Sequence, residues 1–483
     1  MSVKEVKVCI IGAGISGLKT AHTLLNDPRS KFTKDDVLIV EGQDYIGGRV
    51  LTDKTSSKLG YSYDLGGAWF HDALTNVVLK ESIEDKSFDL NKDGYFDDLE
   101  HVYYHNDHKG ELPYNKWRLN KVGEELFKFI EIYYYESLDR KDMNLLEITD
   151  IYIERYGDRL TPEQIKYLHQ VARYSELWFG VASDKISAKY SAMSHEGRNL
   201  YNLKGFSFLV DKLLKGIFRE NILLNHKVSK INRADKYIET QHGTIKFDYL
   251  VVTVPLSILK LPQDHEYGIT WEPKLPASMT EAIDKMSFGA LGKVIFEFDN
   301  IWWDNEIERF VLLSEDLDNK DIGEPLKSLP KKSKYPILAI NYAAMHKNEK
   351  ASLVLLTQSP LTDYVEAHPE EAWEYFKPML EQIVTKDKKI SEPINVMTTK
   401  WTQNPYARGS YSAVLPNDDP ESIIVQLSGE LEGVALSHSP IRFAGEHTIS
   451  EGDGCIHGAY MSGQREAEWI INNFFFSKKL AKL

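Results

Sequence analysis

The sequence predicts an α/β protein with a Rossmann-like N-terminal lobe. An apolar run at 6–11 is followed by the turn Gly12-Ala13-Gly14-Ile15-Ser16-Gly17 and by apolar residues with helical spacing over 18–25. A second apolar run at 37–40 ends at Glu41, 24 residues after Gly17. A strand, a glycine turn, a helix and a terminal acid in this order form a complete dinucleotide-binding unit.

The glycines of this turn have separate tasks. Gly12 allows the tight turn, Gly14 lets backbone N–H groups approach a pyrophosphate, and Gly17 lets the helix pack on the strand. A lone glycine pattern of this kind is often only a flexible loop. Because strand, helix and acid agree here, we predict that this turn, including Ser16, binds a pyrophosphate and that Glu41 binds a ribose hydroxyl.

Composition narrows the class further. A chain of 483 residues with 42% hydrophobic and 27% charged residues is long enough for about three domains, or two larger lobes, and is expected to fold without disulfides. A net charge of −14 opposes binding to nucleic acid or to anionic membranes. Two cysteines are too few for a disulfide framework or a cysteine metal site, and no apolar run reaches 18 residues. We therefore expect no metal site, no secretion and no membrane span.

The remaining elements follow in order. Residues 82–120 are polar and predict loops or short strands, whereas about 124–214 is helical, with an N-cap at Thr161 followed by Pro162. Strands are predicted at 248–255, 293–298 and 441–446, and a helix at 458–474 after a glycine-rich turn. The charged, proline-containing segment 315–334 is predicted to be a linker.

Three further motifs carry a family resemblance. Together with the N-terminal turn, Gly47-Gly48-Arg49, Gly66-Gly67-Ala68-Trp69 and Phe443-Ala444-Gly445-Glu446-His447-Thr448 resemble the flavin-dependent amine oxidases. The stretches 288–298 and 401–412 are more similar to fungal polyamine oxidases, a group that includes proteins first named for binding corticosteroids, than to monoamine oxidases or histone demethylases. The match spans nearly the whole chain.

The resemblance implies two lobes with the active site between them. An FAD-binding lobe is expected from three pieces of chain, 1–81, 200–280 and 400–483. A second, α+β substrate-binding lobe is expected from 82–199 and 281–399. Ligands at lobe junctions agree with what is general for small-molecule sites.

The resemblance also implies cofactor contacts in all three pieces. The expected FAD-binding residues are Gly12, Gly14, Ser16, Gly17, Glu41, Gln43, Gly48, Arg49, Gly66, Gly67, Ala68, Trp69, Val228, Trp401, Tyr406, Gly445, Glu446, Cys455 and Ile456. The helix that begins near Cys455 would face the pyrimidine edge of the flavin, where reduction places negative charge that a helix N-terminus stabilises. The family has arginine where Tyr45 stands, and often where Gln43 stands, which puts those contacts in doubt.

The implied reaction residues are of two kinds. Catalytic roles fall on Lys293, His71 and Tyr411, and substrate-binding roles on Asp98, Trp178, His195 and Asn199. Lys293 lies between Gly292 and an apolar strand, so its ammonium must reach water or a specific partner; in the family it reaches flavin N5 through a water and aids reoxidation. Ser410 stands where monoamine oxidases have the flavin-linking cysteine, so FAD should be non-covalent.

Several of these residues have plainer interpretations. His71 could be a satisfied loop histidine, and Tyr411 an ordinary packed aromatic. His195 and Asn199 lie four apart and could be a surface pair on one helix face. Asp98 lies in an acid-rich stretch where most carboxylates are simply solvated.

The resemblance therefore predicts an FAD-dependent polyamine oxidase. It would take hydride from a spermine-like or N-acetylated polyamine and form an imine that water hydrolyses to a shorter amine and an aminoaldehyde, while O2 becomes H2O2. The alternative is a flavoprotein of the same fold that chiefly binds a hydrophobic ligand such as a steroid.

The final tripeptide predicts a subcellular location. Ala481-Lys482-Leu483 resembles the S-K-L signal that the peroxisomal import receptor reads. We therefore expect that receptor as a partner and the peroxisome as the location, with cytoplasm as the alternative. The plain interpretation is a solvated tail that ends this way by chance.

Overall fold

The computed structural model describes residues 2–96, 98, 101–137, 139–192, 197–315, 321–331 and 333–480. The helices are α1 (Ile15–Asn26), α2 (Val77–Glu84), α3 (Leu90–Asp93), α4 (Leu119–Tyr135), α5 (Leu145–Tyr156), α6 (Pro162–Arg173), α7 (Glu176–Phe179), α8 (Ser207–Leu213), α9 (Leu256–Leu259), α10 (Ala277–Asp284), α11 (Tyr342–Met345), α12 (Leu361–Ala367), α13 (Ala372–Leu380), α14 (Pro420–Ser428) and α15 (Ile456–Leu480).

The strands are β1 (Ser2–Ile11), β2 (Val37–Val40), β3 (Thr52–Asp53), β4 (Tyr63–Asp64), β5 (Trp69–Phe70), β6 (Gly94–Phe96), β7 (Val102–Tyr104), β8 (Leu200–Asn202), β9 (Ile222–Leu223), β10 (Val228–Asn232), β11 (Tyr237–Thr240), β12 (Gly243–Val252), β13 (Thr270–Glu272), β14 (Ser287–Gly289), β15 (Leu291–Glu297), β16 (Arg309–Leu312), β17 (Ile337–Asn341), β18 (Ser352–Gln358), β19 (Asn395–Thr398), β20 (Tyr411–Ala413) and β21 (Ile441–Phe443).

An eight-stranded sheet forms the first layer of the molecule. Its order is β13-β10-β11-β12-β1-β2-β9, and β21 pairs with the end of β12. Strands β9, β2, β1, β12 and β21 are parallel to one another, and their apolar runs are buried, as is usual for a parallel sheet covered on both faces. Helices α1 and α15 pack together with β1 in one buried cluster, whereas α10 and α14 contribute to another.

A six-stranded mixed sheet forms the second layer. Its order is β19-β15-β18-β17-β16-β7, antiparallel except between β16 and β7. Helices α4, α5 and α6 pack beside it around their own buried aromatic cluster. The short strands β14 and β20 pair Ser287–Gly289 with Tyr411–Ala413 and so bring segment 400–413 next to the beginning of β15.

The predicted α/β class is confirmed, and some local predictions need correction. Strands of the first sheet come from 2–11, 37–40, 222–252, 270–272 and 441–443, and strands of the second from 102–104 and 291–398. The exact lobe boundaries remain predictions. The helical region 124–214 is interrupted by β8, and the N-cap at Thr161 forms a complete capping box with Gln164.

The segment 315–334 is not a linker between lobes. It joins β16 to β17, which are adjacent strands of the second sheet. Ile322 and Tyr335 are fully buried, and the Tyr335 hydroxyl donates to the Ile322 carbonyl at 2.8 Å. Charged residues and proline are typical both of linkers and of long loops between paired strands, so composition alone could not distinguish the two.

The described residues include neither a membrane-spanning helix nor a metal-binding cluster. None of the helices described is both long and apolar enough to cross a membrane. No group of three or more His, Cys, Asp or Glu side chains within the described ranges is arranged to hold a metal ion. The tripeptide 481–483 lies outside the described residues.

Candidate active site

A cavity of about 710 Å³ lies at the carboxyl ends of the parallel strands β1 and β2 and reaches the beginning of β15. This is the edge at which open α/β sheets bind their ligands. Its walls include the turn after β1, the loops 45–50 and 65–72, helix α7, the segment 401–412 and the turn before α15. The structure therefore brings together residues that are more than 400 positions apart in the chain.

The glycine turn has the three properties expected of a pyrophosphate cradle. Gly12 has a φ of +106°, and a Cβ there would lie 2.5 Å from the Thr253 Oγ1 atom. A Cβ on Gly17 would lie 2.0 Å from the Gly12 carbonyl oxygen, so helix and turn are in close contact. A Cβ on Gly14 would meet nothing within 4 Å, so this glycine faces open space in the cavity. Helix α1 begins here, with Ser16 in the cavity wall, and its N-terminus suits an anion.

Glu41 ends β2 at the cavity and is buried. Its carboxylate accepts hydrogen bonds from the Ala13 N–H at 2.7 Å and the Gln43 N–H at 2.8 Å. Burial raises the pKa of Glu41, whereas the hydrogen bonds from these N–H groups act to lower it. The carboxylate is thus fixed beside the glycine turn, where a ribose hydroxyl would have to lie.

The positions that depart from the family pattern are engaged within the protein. The Gln43 Oε1 atom accepts from the Asn404 amide at 2.7 Å, and the Tyr45 hydroxyl donates to the Gly48 carbonyl at 3.2 Å. The Tyr406 ring packs so closely on Gly42 that a Cβ there would lie 2.3 Å from it. These side chains, with Val228 at the start of β10, line one end of the cavity.

An ion pair between half-buried Arg49 and buried Glu446 crosses the middle of the cavity wall. The Arg49 Nη1 group donates to Glu446 Oε1 at 3.0 Å and to the Ser410 carbonyl at 2.8 Å. The Ser412 hydroxyl donates to Glu446 Oε2 at 2.5 Å. Burial would raise the pKa of Glu446, but Arg49, His447 and Ser412 outweigh it and hold that pKa below its usual value. Glu446 is therefore an anion, and Gly445 before it turns with a φ of +151°.

Lys293 is the buried cation of the site. Its Nζ atom donates to the Asp64 carbonyl at 2.5 Å and to the Gly66 carbonyl at 2.7 Å, and it lies 6.0 Å from the centre of the Trp69 ring. Burial lowers the pKa of Lys293 to about 8, although Asp64 acts in the opposite direction. The need for specific partners, predicted from sequence, is met by two backbone carbonyls, that of Asp64 at the end of β4 and that of Gly66 in the loop that follows.

Aromatic side chains form the wall near Lys293. The Tyr411 hydroxyl donates to the Trp178 carbonyl at 2.5 Å, and burial raises the pKa of Tyr411, so it remains a neutral phenol. The His71 ring stacks on Trp69 with 6.4 Å between centroids, and its Nδ1 atom is 3.1 Å from Asn199 Oδ1. His71 lines the cavity and contacts Asn199, and their roles toward a substrate remain predictions.

The turn before α15 closes the cavity on the other side. A Cβ on Gly67 would lie 2.7 Å from Ile456 Cδ1, so the loop 66–69 packs directly on the beginning of α15. Burial raises the pKa of the Cys455 thiol well above its usual value, so this cysteine is a poor nucleophile.

Two side chains of the segment 401–412 are hydrogen-bonded to the backbone of neighbouring segments. The Ser410 hydroxyl donates to the Leu291 carbonyl, and the Trp401 indole N–H donates to the Leu65 carbonyl, both at 2.8 Å.

Of the predicted substrate residues that the structure describes, Trp178 lines this cavity, whereas Asp98 and Asn199 do not. Asp98 is exposed, forms an ion pair with Arg198 at 2.7 Å, and does not line the cavity. It fits the plain interpretation of a solvated carboxylate better than the predicted one. His195 lies outside the described residues.

The structure adds acidic residues that the sequence did not reveal. Asp72, Glu421, Glu451 and Asp453 line the cavity near Cys455. Asp453 is open to water in the cavity yet surrounded by protein; burial, followed by the nearby Glu446, Asp72 and Glu421, raises its pKa to about 6. The His457 Nε2 atom lies 3.7 Å from Asp72. The signal was an acid between two glycines before a helix, which also describes an ordinary turn.

The described residues fit FAD. The cavity combines an open glycine cradle at a helix N-terminus, a buried acid at the ribose position, and a buried lysine at the far end. The cradle and the acid suit the diphosphate and the ribose of a dinucleotide, and the family resemblance places the lysine at the flavin. Ser410 has no thiol, and burial raises the pKa of the Cys455 thiol, in keeping with non-covalent binding.

Comparison with known proteins gives one consistent result. The model of the flavin-containing amine oxidoreductase family matches residues 15–471. A corticosteroid-binding protein of Candida albicans is 48% identical over 480 residues, covering 98% of this chain and 97% of its own length. Polyamine oxidase 4 of Oryza sativa is 28% identical, covering 99% and 91%. A structure of wild-type putrescine oxidase bound to putrescine superposes over 98% of this chain with a TM-score of 0.66 at 16% identity, which confirms the two-lobe fold.

Proposed function

This chain belongs to the flavin-containing amine oxidoreductase family, and we propose that it oxidises polyamines of the spermine type, free or N-acetylated. The amine loses a hydride from the carbon next to its nitrogen and becomes an imine. Water then hydrolyses the imine to an aldehyde and a shorter amine. The balance is one secondary amine, one O2 and one water giving one aminoaldehyde, one amine and one H2O2. FAD, when bound, supplies the hydride acceptor.

The observation that carries this proposal is the distribution of charge in one cavity. Near Cys455 the wall is acidic, with Asp453 within electrostatic reach of Asp72 and Glu421. No ion pair or hydrogen bond from a cationic side chain of the described residues reaches the Asp453 carboxylate. A substrate with several ammonium groups would supply the missing cation, whereas a neutral ligand would leave the carboxylate without one.

The aromatic wall serves the reacting nitrogen. Hydride loss requires a lone pair on that nitrogen, so the amine must be neutral when it reacts. The same burial that raises the pKa of Tyr411 would lower the pKa of an amine placed against Tyr411 and Trp178. Remote ammonium groups at the acidic wall would keep their charge, so one molecule can bind through one nitrogen and react at another.

A second candidate function has an observation of its own. The Candida albicans relative that shares 48% identity is named a corticosteroid-binding protein. On this alternative the chain chiefly binds a hydrophobic ligand such as a steroid and turns over little. A buried lysine held toward the cavity favours oxidation, because ligand binding alone has no use for it.

An anaerobic titration separates the two candidates. Purified holoprotein is mixed with spermine, N-acetylspermine, putrescine or corticosterone, and the flavin absorbance near roughly 450 nm is followed. Bleaching by a polyamine, followed by one H2O2 per aldehyde on admission of air, supports the proposal. A spectral shift with corticosterone and no bleaching by any amine would establish the alternative. Lys293→Met serves as the control, since it should still bleach but regain colour slowly in air.

The subcellular location is a separate proposal. An enzyme that makes H2O2 suits a compartment that destroys it, and the tripeptide Ala481-Lys482-Leu483 resembles a peroxisomal signal. A fluorescent protein fused to the N-terminus should give puncta that coincide with a peroxisomal marker and should become diffuse when Leu483 is deleted. Diffuse fluorescence from the intact chain would favour the cytoplasm instead.

A further inference from the structure

The Lys293 side chain is oriented by the end of β4 and the loop that follows it. An ammonium has three N–H groups, and two of those on Lys293 are donated to the carbonyls of Asp64 and Gly66. One position on the nitrogen is left for the cavity that Lys293 lines. When the lysine is protonated this position donates a hydrogen bond, and when the lysine is neutral it carries the lone pair and accepts one. The protonation state of Lys293 therefore decides whether a hydrogen-bond donor or an acceptor faces the cavity.

The Asp64 carboxylate lies behind this arrangement. It is buried, with 4% of the residue exposed, and it accepts from the Thr52 hydroxyl at 2.5 Å and from the Phe206 N–H at 3.0 and 3.1 Å. A carboxylate enclosed in this way cannot turn toward solvent. Asp64 thus holds Lys293 through its backbone and places a fixed charge nearby through its side chain.

We propose that Asp64 is the positioning residue of Lys293, its carbonyl fixing the direction of the Nζ atom and its carboxylate fixing whether that atom carries a proton. Asp64 does not line the cavity. Its effect on the reaction passes entirely through Lys293. The inference rests on the proposed function only in placing Lys293 beside the flavin.

The electrostatics agree with the geometry. Asp64 is the charged group that raises the pKa of Lys293 against the lowering by burial, which leaves that pKa at about 8. Burial raises the pKa of Asp64 to about 6, although Thr52 and Lys293 oppose it. Between about pH 6 and pH 8 the carboxylate and the ammonium coexist. Below that window Asp64 gains a proton, and above it Lys293 loses one.

Other titratable groups face this pair. Tyr201 and Tyr342 act on Asp64 from β8 and α11, and burial raises the pKa of both, so they remain neutral throughout the window. Lys54 acts weakly on Asp64. Behind Lys293, Glu366 is hydrogen-bonded to Thr399, whose hydroxyl also accepts from the Lys293 backbone N–H. Asp64 is therefore the group whose substitution should shift the pKa of Lys293.

The test uses the oxidised holoprotein without substrate. The visible spectrum of the bound flavin is recorded from pH 5.5 to 9.5 for wild type, Lys293→Met, Asp64→Asn and Thr52→Val. Wild type should show inflections near 6 and 8, and Lys293→Met should lose the upper one. Asp64→Asn should move the upper inflection down by about one to two pH units, the usual effect of removing an opposite charge at close range. A purely structural role would lower the unfolding temperature and leave the upper inflection in place, which would overturn the proposal.

Thr52→Val keeps the test decisive if Asp64→Asn fails to hold FAD. It removes a hydrogen bond that lowers the pKa of Asp64, so the lower inflection should move up while the upper one stays. Two unmoved inflections would overturn the proposal. Reoxidation of dithionite-reduced enzyme by O2 should follow the same upper inflection in each variant. Because no amine is used, these results stand even if no polyamine bleaches the flavin, an outcome that would refute only the proposed function.

Discussion

Replacing Lys293 with methionine should change how stability depends on pH. The pKa of this lysine falls from an ordinary 10.5 to about 8 because the side chain is buried. Each pKa unit corresponds to about 1.4 kcal/mol, so 2.5 units amount to about 3 kcal/mol that the buried ammonium costs the folded state at pH 7. Methionine has similar length and no charge, and removes this cost together with two hydrogen bonds to carbonyls.

The sign follows from the proton count. Between pH 8 and 10.5 the unfolded chain holds a proton on Lys293 that the folded chain has released, so rising pH favours folding of the wild type. The variant has no such group. The unfolding free energy of wild type minus that of Lys293→Met should therefore rise by about 3 kcal/mol from pH 7 to pH 10.5.

Urea denaturation of both proteins at several pH values, with the same excess of FAD, measures this difference. Groups that titrate alike in both proteins cancel. In parallel, stopped-flow mixing with O2 should show slow reoxidation in the variant, with little change in amine affinity. A stability difference that stays constant over the range would refute the argument that Lys293 is a buried ammonium.

Three other expectations concern the cofactor and the substrate. Acid precipitation should release FAD into the supernatant, because neither Ser410 nor the Cys455 thiol, whose pKa is raised, favours a covalent bond; flavin in the pellet would contradict this. Gly14→Val should abolish FAD binding while the FAD-free protein melts as wild type does, whereas Gly17→Ala should lower the melting temperature itself, as its Cβ would meet the Gly12 carbonyl. Asp453→Asn should raise KM for spermine about tenfold with kcat nearly unchanged, the pattern of lost uniform binding. Asp98→Ala should change KM less than about twofold, because its carboxylate pairs with Arg198 at the surface; equal effects of the two variants would reject this assignment.

Local chemistry explains which parts of the site were predictable. The roles of Gly12, Gly14 and Gly17 follow from spacing within one turn, and Glu41 follows from its place at the end of a strand, so the sequence was sufficient for these four. His71 was identified only through resemblance. Its contact with Asn199 depends on β5 and β8 pairing across 128 positions, which no local pattern encodes.

The residues that were missed depend on packing. Asp64 was visible in a motif, but its relation to Lys293 is created where β4 and β15 meet, 229 positions apart. Asp453 looks like a turn residue in the sequence, and only the folded structure shows that it lines the cavity. Conversely, the resemblance implied a substrate role for Asp98, and the structure pairs it with Arg198 at the surface.

The charge pattern would let one cavity accept both FAD and the proposed polyamine, which are ligands of opposite sign. The diphosphate of FAD needs positive potential, which the N-terminus of α1 supplies beside Gly14. A polyamine needs negative potential, which Asp453 and its acidic neighbours supply. Between these ends the Arg49–Glu446 pair is internally neutral, so neither ligand is repelled at the junction. Replacing Glu446 with glutamine would leave Arg49 uncompensated there, and should tighten FAD while weakening spermine; a loss of both affinities would show that the pair acts only through packing.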